Sequence, residues 1–375
     1  MRIVSLFFLF LFFSIVISAQ NKTENIVIVT LDGMRWQEVF KGADSFILKN
    51  KNYTHDYENT SGLFWSDDLN ERRKKLFPFL WNVVAKQGQL YGNRTFNNNL
   101  NNANPYQFSY PGYNELLTGY PDTLVNSNEK INNPNENVLE FINQQKDYQN
   151  KVAVFATWDV FPFILNKNRS HLFINADVDS LHFNTPSLQL LNDMQFLTAK
   201  PIGVRPDVFT YFAAREYWKV YQPKVLYIAF DETDDMAHGG DYDQYLKSAH
   251  AQDRMIEDLW NLIQSSASYK NKTTLIITCD HGRGDVDKNN WTDHGSEIKE
   301  SGQIWMAVLG PDTPAFGEMK IEQQLYQKQI ASTIASLLGF SFNTNHPVGN
   351  SIASVFNSDT DKTKVASNNR ITSEK

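Results

Sequence analysis

The segment Thr278-Cys279-Asp280-His281-Gly282 sets a carboxylate beside an imidazole directly after the apolar run Thr274-Leu275-Ile276-Ile277. An Asp-His pair at the end of a buried strand is costly to leave unpaired. A divalent cation offsets that cost, because zinc takes imidazole nitrogen and carboxylate oxygen as ligands. Three other segments carry the same residue types. Asp32 follows the run Ile26 to Leu31, Asp234 and His238 follow the run Val225 to Phe230, and His294 stands in Trp291-Thr292-Asp293-His294-Gly295. The spacing Asp234-x-x-x-His238 is one helical turn, so both side chains can face one ion. Gly239-Gly240 then frees the backbone to turn. Taken singly, each residue has a plainer reading: Asp234 as a helix cap with a surface histidine nearby, Asp280-His281 as a strand-end turn, Asp32-Gly33 as a turn dipeptide. The convergence of four segments is what points to a metal site.

Such a site calls for a nucleophile. Ser109, in Phe108-Ser109-Tyr110-Pro111-Gly112-Tyr113, precedes the apolar pair Leu116-Leu117. A serine at a helix start presents its oxygen where the helix N-terminus favours anions such as phosphate. The alternative for Ser109 is a plain helix cap. Phe108, Tyr110, Tyr113 and Trp158 offer aromatic surface, either as an apolar wall for a leaving group or as core.

A frame must bring these residues together. Five short β-branched or apolar runs, 26–31, 152–156, 225–230, 274–279 and 305–309, read as buried parallel strands. Helical patterns lie between them over 79–87, 138–145, 206–218 and 245–263. The alternation predicts an α/β fold, a three-layer doubly wound sheet that is mostly parallel. Functional groups in such sheets gather at the carboxyl ends of the strands, which is where Asp32, Asp234 and Asp280 fall. The asparagine-rich stretch 97–104 reads as a loop ahead of Ser109.

Composition bounds the rest. Residues 1–19 combine a basic start, a short apolar run from Val4 to Ile17 and Ser18-Ala19 at the exit, the pattern of a secretory signal peptide. The run is shorter than the ~20 residues a spanning helix needs, so no membrane span is expected after cleavage. Residues 20–358 suit a single catalytic domain, and the polar stretch 359–375 reads as a disordered tail. The formal net charge is -7, a poor basis for binding long nucleic acid. Cys279 is the only cysteine, so no internal disulfide can form, and the core must rest on packing, to which 13% aromatic residues contribute.

The segments Leu31-Asp32-Gly33-Met34-Arg35-Trp36, Ser109-Tyr110-Pro111-Gly112-Tyr113, Asp234-Asp235-Met236-Ala237-His238, Cys279-Asp280-His281-Gly282 and Asp293-His294-Gly295 jointly resemble the alkaline phosphatase superfamily. The likeness is closest to its type I phosphodiesterase and nucleotide pyrophosphatase branch. Gln329 to Ala335, followed by Leu338-Gly339, is similar to that family's last helix. The resemblance implies an alkaline-phosphatase-like fold and two zinc ions per chain, one held by Asp234, His238 and His294, the other by Asp32, Asp280 and His281 with Ser109 beside it. It implies a phosphoserine intermediate on Ser109. The branch uses an asparagine downstream of the nucleophile to bind phosphate, for which Asn126 and Asn128 are the candidates. Arg283 either reaches a phosphate or is a solvated loop arginine, and Tyr113 stands where the branch often has histidine, which leaves nucleotide preference open.

The resulting expectation is an exported, periplasmic or extracellular two-zinc phosphoester hydrolase, a phosphodiesterase or phosphomonoesterase acting on a small substrate. A sulfatase is the nearest alternative, but Tyr113 stands where sulfatases need arginine after Ser109-x-Pro111, and three histidines favour zinc over the calcium of sulfatases. A phosphoglycerate-mutase-like relative fits poorly with export. A non-catalytic secreted binding protein would have lost at least one ligand, and none is lost.

Overall fold

A computed structural model describes residues 21–182, 185–198 and 204–356. The expected leader 1–19 and the polar tail 359–375 lie outside the described residues. Eleven strands form among the described residues: β1 (Asn25–Leu31), β2 (Gln89–Tyr91), β3 (Asn98–Asn101), β4 (Val152–Ala156), β5 (Phe173–Ala176), β6 (Val225–Phe230), β7 (Thr273–Thr278), β8 (Gln303–Ile304), β9 (Met306–Leu309), β10 (Gly317–Glu318) and β11 (Gln323–Tyr326). Eight make the central sheet in the order β10-β2-β9-β7-β1-β6-β4-β5, and β11-β3-β8 make a small second sheet.

Every residue of β1, β4, β6 and β7 is buried. Continuous β-branched and apolar runs suit strands covered on both faces, and these four pair in parallel at the centre of the sheet. The helices used below are α1 (Ser109–Thr118), α2 (Val138–Asn143), α3 (Asp207–Tyr221), α4 (Glu232–His238), α5 (Tyr242–Ser265) and α6 (Ile330–Leu337). α3 packs on β4, β6 and α5, and α5 also reaches β1. α1, α2 and α6 pack on one another, and α2 reaches β4. The sheet lies between these two helical layers, as the alternating pattern predicts.

Three expectations need correction. The run 305–309 is not a parallel strand: β9 pairs antiparallel with both β7 and β2. A parallel strand requires a crossover to the opposite edge of the sheet. Here the chain leaves β7, loops over the carboxyl edge through residues 279–302 and re-enters from that same edge. The stretch 97–104 is not all loop, because Asn98–Asn101 forms β3, parallel to β11 and antiparallel to β8. Asparagine is a poor strand former, and backbone pairing with two partners overrides that preference. The helix expected over 79–87 contains a π-helical turn at Leu80–Val84. Its start is held by the Asp253 carboxylate, which accepts from the Phe79 and Leu80 N–H groups.

Candidate active site

The register of the central sheet decides where the chemistry sits. β1 lies between β7 and β6, with Thr30 beside Thr278 and Leu31 beside Phe230. The segments beginning at Asp32, Asp231 and Asp280 therefore leave the sheet at one edge from three adjacent strands. At Asp32-Gly33 the backbone turns, with Met34 N–H donating to Leu31 at 3.3 Å, so the turn reading also holds. Gly33 has φ +59°, and a Cβ there would lie 2.5 Å from an Asp234 oxygen. Only glycine fits that conformation so close to a neighbouring side chain.

Asp32, Asp280 and His281 are fully buried and meet at that edge. His281 Nε2 lies 3.3 Å from Asp32 Oδ1, 3.5 Å from Asp280 Oδ2 and 3.3 Å from Ser109 Oγ. The His281 Nδ1–H donates to the Gly282 carbonyl at 2.9 Å, which turns Nε2 toward the carboxylates. Ser109 opens α1, whose cap position is Phe108, and no side chain caps the helix. The serine oxygen is thus turned to His281 rather than spent on a cap.

Asp234, His238 and His294 form a second group. His238 Nε2 lies 3.2 Å from Asp234 Oδ2 and 3.0 Å from His294 Nε2, and His294 Nε2 lies 3.7 Å from Asp234 Oδ1. Asp234 lies inside α4, whose cap position is Asp231, so the cap reading of Asp234 does not describe it. The groups adjoin: His281 Nε2 is 3.8 Å from Asp234 Oδ1, and Asp234, His281 and His294 also lie within 4.8 Å of one another.

The donor set and its spacing fit zinc. Tetrahedral ligands at bonds of about 2.0–2.1 Å stand roughly 3.3 Å apart, close to most of the separations above. Asp32 Oδ1, Asp280 Oδ2 and His294 Nδ1 are buried with no hydrogen-bond partner, a costly state that a cation bound to the two carboxylate oxygens relieves. Burial, and then the neighbouring Asp234, push the Asp32 carboxyl well above its ordinary range. Burial, and then Asp32, do the same to Asp280. Burial opposes ionisation of Asp234 too, yet Arg283 and the surrounding histidines hold it well below the usual carboxylate range. Burial, and then His281, keep the His294 imidazole in its neutral, ligand-competent form.

The residues proposed from sequence for substrate binding fall differently. Arg283 is not a solvated loop arginine and does not point to open space. It is fully buried, donates to the Asp234 carboxylate and to the Thr292 carbonyl, and reaches the Asp234 carbonyl at 3.1 Å. It ties α4 to the loop that carries His294. Tyr113 is also fully buried, and its hydroxyl donates to Asp32 Oδ2 at 2.9 Å, so it forms no wall for a leaving group. Tyr110 is buried as well and donates to the Ile131 carbonyl at 2.5 Å. Asn126 and Asn128 are both exposed. Asn128 Oδ1 accepts from the Tyr110 N–H at 2.9 Å, which sets its amide one residue from Ser109.

Sequence reading missed the residues that hold the Asp280 segment. Asn102 and Gln327 both donate to the Asp280 carbonyl, at 2.8 and 2.9 Å. The buried Glu115 on α1 accepts from the N–H groups of Ala103, Asn104 and Lys328, drawing both supporting loops to the helix that starts with Ser109. A carboxylate six residues after Ser109, beside Leu116-Leu117, was the available clue.

The profile of one family, described as type I phosphodiesterase / nucleotide pyrophosphatase, matches residues 42–338. No curated protein matches the chain. Among solved structures, alkaline phosphatase PafA superposes with a TM-score of 0.59 at 10% identity, over 90% of this chain and 99% of that one. The lipoteichoic acid synthase LtaP from Listeria monocytogenes gives 0.55 at 13% identity, over 91% and 76%. A putative sulfatase from Bacteroides thetaiotaomicron gives 0.55 at 13% identity, over 89% and 74%. At these identities the likeness is one of fold.

Proposed function

The chain belongs to the type I phosphodiesterase / nucleotide pyrophosphatase family of the alkaline phosphatase superfamily and is a metal-dependent hydrolase of phosphoric ester bonds, and from that premise we propose that it is an exported two-zinc enzyme acting through Ser109. The observation that carries the reading is the meeting of Ser109 Oγ, Asp32 Oδ1 and Asp280 Oδ2 around His281 Nε2, all within 3.5 Å of it. Asp32, Asp280 and His281 would hold one zinc ion beside Ser109, and Asp234, His238 and His294 the other. When bound, two such ions supply Lewis acidity to the phosphoryl oxygens, the attacking hydroxyl and the leaving oxygen.

The chain's own residues do the rest. Ser109 Oγ gives up its proton to solvent as it attacks phosphorus in line, the ester P–O bond breaks, and the leaving alkoxide takes a proton from solvent as it departs. Water then attacks the phosphoserine from the vacated side, releasing phosphate or a monoester and returning Ser109. At the N-terminus of α1 the Tyr110 N–H goes to Asn128 Oδ1 and Pro111 has none, so the Ser109 N–H is the one left to meet the anion, and the Asn128 amide nitrogen would donate to a nonbridging oxygen. Export rests on the leader pattern of residues 1–19, and no helix among the described residues is long and apolar enough to cross a membrane.

Metal analysis together with rates on an aryl phosphomonoester, phosphodiester and sulfate ester, with and without zinc, tests this. Two zinc ions per chain and zinc-dependent turnover of a phosphate ester are expected. A chain free of zinc after exposure to it, or one that turns over only the sulfate ester, overturns the reading.

A further inference from the structure

The two oxygens of Asp32 keep different company. Oδ2 accepts from the Tyr113 hydroxyl, while Oδ1 has no hydrogen-bond partner and faces His281 Nε2. Asp280 is divided the same way: Oδ1 accepts from the Gly33 N–H at 3.1 Å and Oδ2 faces His281. In Asp234, Arg283 takes Oδ1 and His238 faces Oδ2. Asp32 and Asp280 are thus each pinned through one oxygen and present the other, whereas both oxygens of Asp234 are engaged, Oδ1 also lying near His281 and His294. The pinning donors differ in charge, a neutral phenol and a neutral amide at Asp32 and Asp280 but a guanidinium at Asp234.

Tyr113 is itself held from behind. Its ring packs edge-on against Phe161 at 4.7 Å, and Phe161 packs edge-on against Tyr227 at 5.8 Å. The Tyr227 hydroxyl shares a hydrogen bond of 3.0 Å with Thr30, two residues before Asp32. The phenol is therefore fixed by the same strands that position Asp32.

We propose that Tyr113 is a positioning residue: its hydroxyl fixes Asp32 so that Oδ1 stays turned toward His281 and Ser109, and it thereby sets the zinc affinity of the Asp32, Asp280 and His281 group. A neutral donor does this without cancelling the negative charge that attracts the cation, as an arginine would. The inference rests on the two-zinc reading, and it takes Tyr113 off the substrate.

Zinc titration against a chromophoric chelator tests it in the full chain and in Tyr113→Phe, Asp32→Asn and the double variant. Tyr113→Phe keeps the ring and its packing. It is expected to weaken one of the two zinc ions by about 10–100-fold, with the other unchanged and KM for an aryl phosphate ester unchanged at saturating zinc. Because Tyr113 acts through Asp32, the double variant is expected to lose no more affinity than Asp32→Asn alone. Wild-type affinity for both ions in Tyr113→Phe, a raised KM with zinc affinity intact, or further loss in the double variant overturns the inference. A wild-type chain that binds no zinc instead overturns the reading beneath it.

Discussion

At the scale of the residue, what separates this site from a chance cluster is how its buried polar atoms are committed. Ser109 caps nothing, and its oxygen lies 3.3 Å from His281 Nε2. Removing that oxygen should cost catalysis and little else. Ser109→Ala is expected to lower kcat by more than about a thousandfold, with zinc content unchanged by metal analysis. Turnover at the wild-type rate would take the nucleophile's role from Ser109. Residue types and order made the acid-histidine cluster and Ser109 legible in the sequence. The roles of Tyr113 and Arg283 were not legible, because a tyrosine or arginine near a site reads alike whether it faces substrate or pins a carboxylate. Burial decides between those roles, and burial is set by residues far away in the chain.

At the scale of the element, α1 must approach the end of β7 closely enough to bring Ser109 to His281. Gly112 permits this: a Cβ there would lie 2.6 Å from the Asp280 carbonyl oxygen. Gly112→Ala is expected to destabilise the protein by about 1–3 kcal/mol, measured by denaturant unfolding, and to lower turnover by displacing Ser109. A second element depends on pH. Burial pushes the Asp253 carboxyl up to about 7, against the pull of the Phe79 and Leu80 N–H groups. Its unfolded value is near 3.9, so between pH 4 and 7 the folded state holds the extra proton and stability falls as pH rises. Asp253→Asn removes that dependence. The stability of the variant relative to wild type should therefore improve as pH rises through this window, in unfolding curves at pH 4.5 and 7.5. The strand and helix centres were predictable from hydrophobic runs. The direction of β9 and the pairing of β3 were not, since both follow from where the chain re-enters the sheet.

At the scale of the whole molecule, the described core has no disulfide to lean on, and the only cysteine, Cys279, is buried. The site links β1, β6, β7, α1, α4 and the loop carrying His294, so a cation bound there couples most of the fold. A ligand that binds only the folded state adds about 4 kcal/mol when present at a thousand times its Kd. Zinc removal by a chelator is expected to lower Tm by several degrees and zinc to restore it, read by scanning calorimetry. A Tm indifferent to zinc would place the cation outside the fold's stability.

The sequence by itself determined the acidic and histidine residues of the site, their order and the strands that deliver them, because hydrophobic runs and acid-histidine pairs are local patterns. Only the tertiary structure decided which oxygens of Asp32 and Asp280 are free, that Arg283 and Tyr113 are spent on Asp234 and Asp32, and that Asn102, Glu115 and Gln327 hold the Asp280 segment. Those assignments depend on which side chains from distant segments share the same few ångströms, and spacing along the chain carries no record of that.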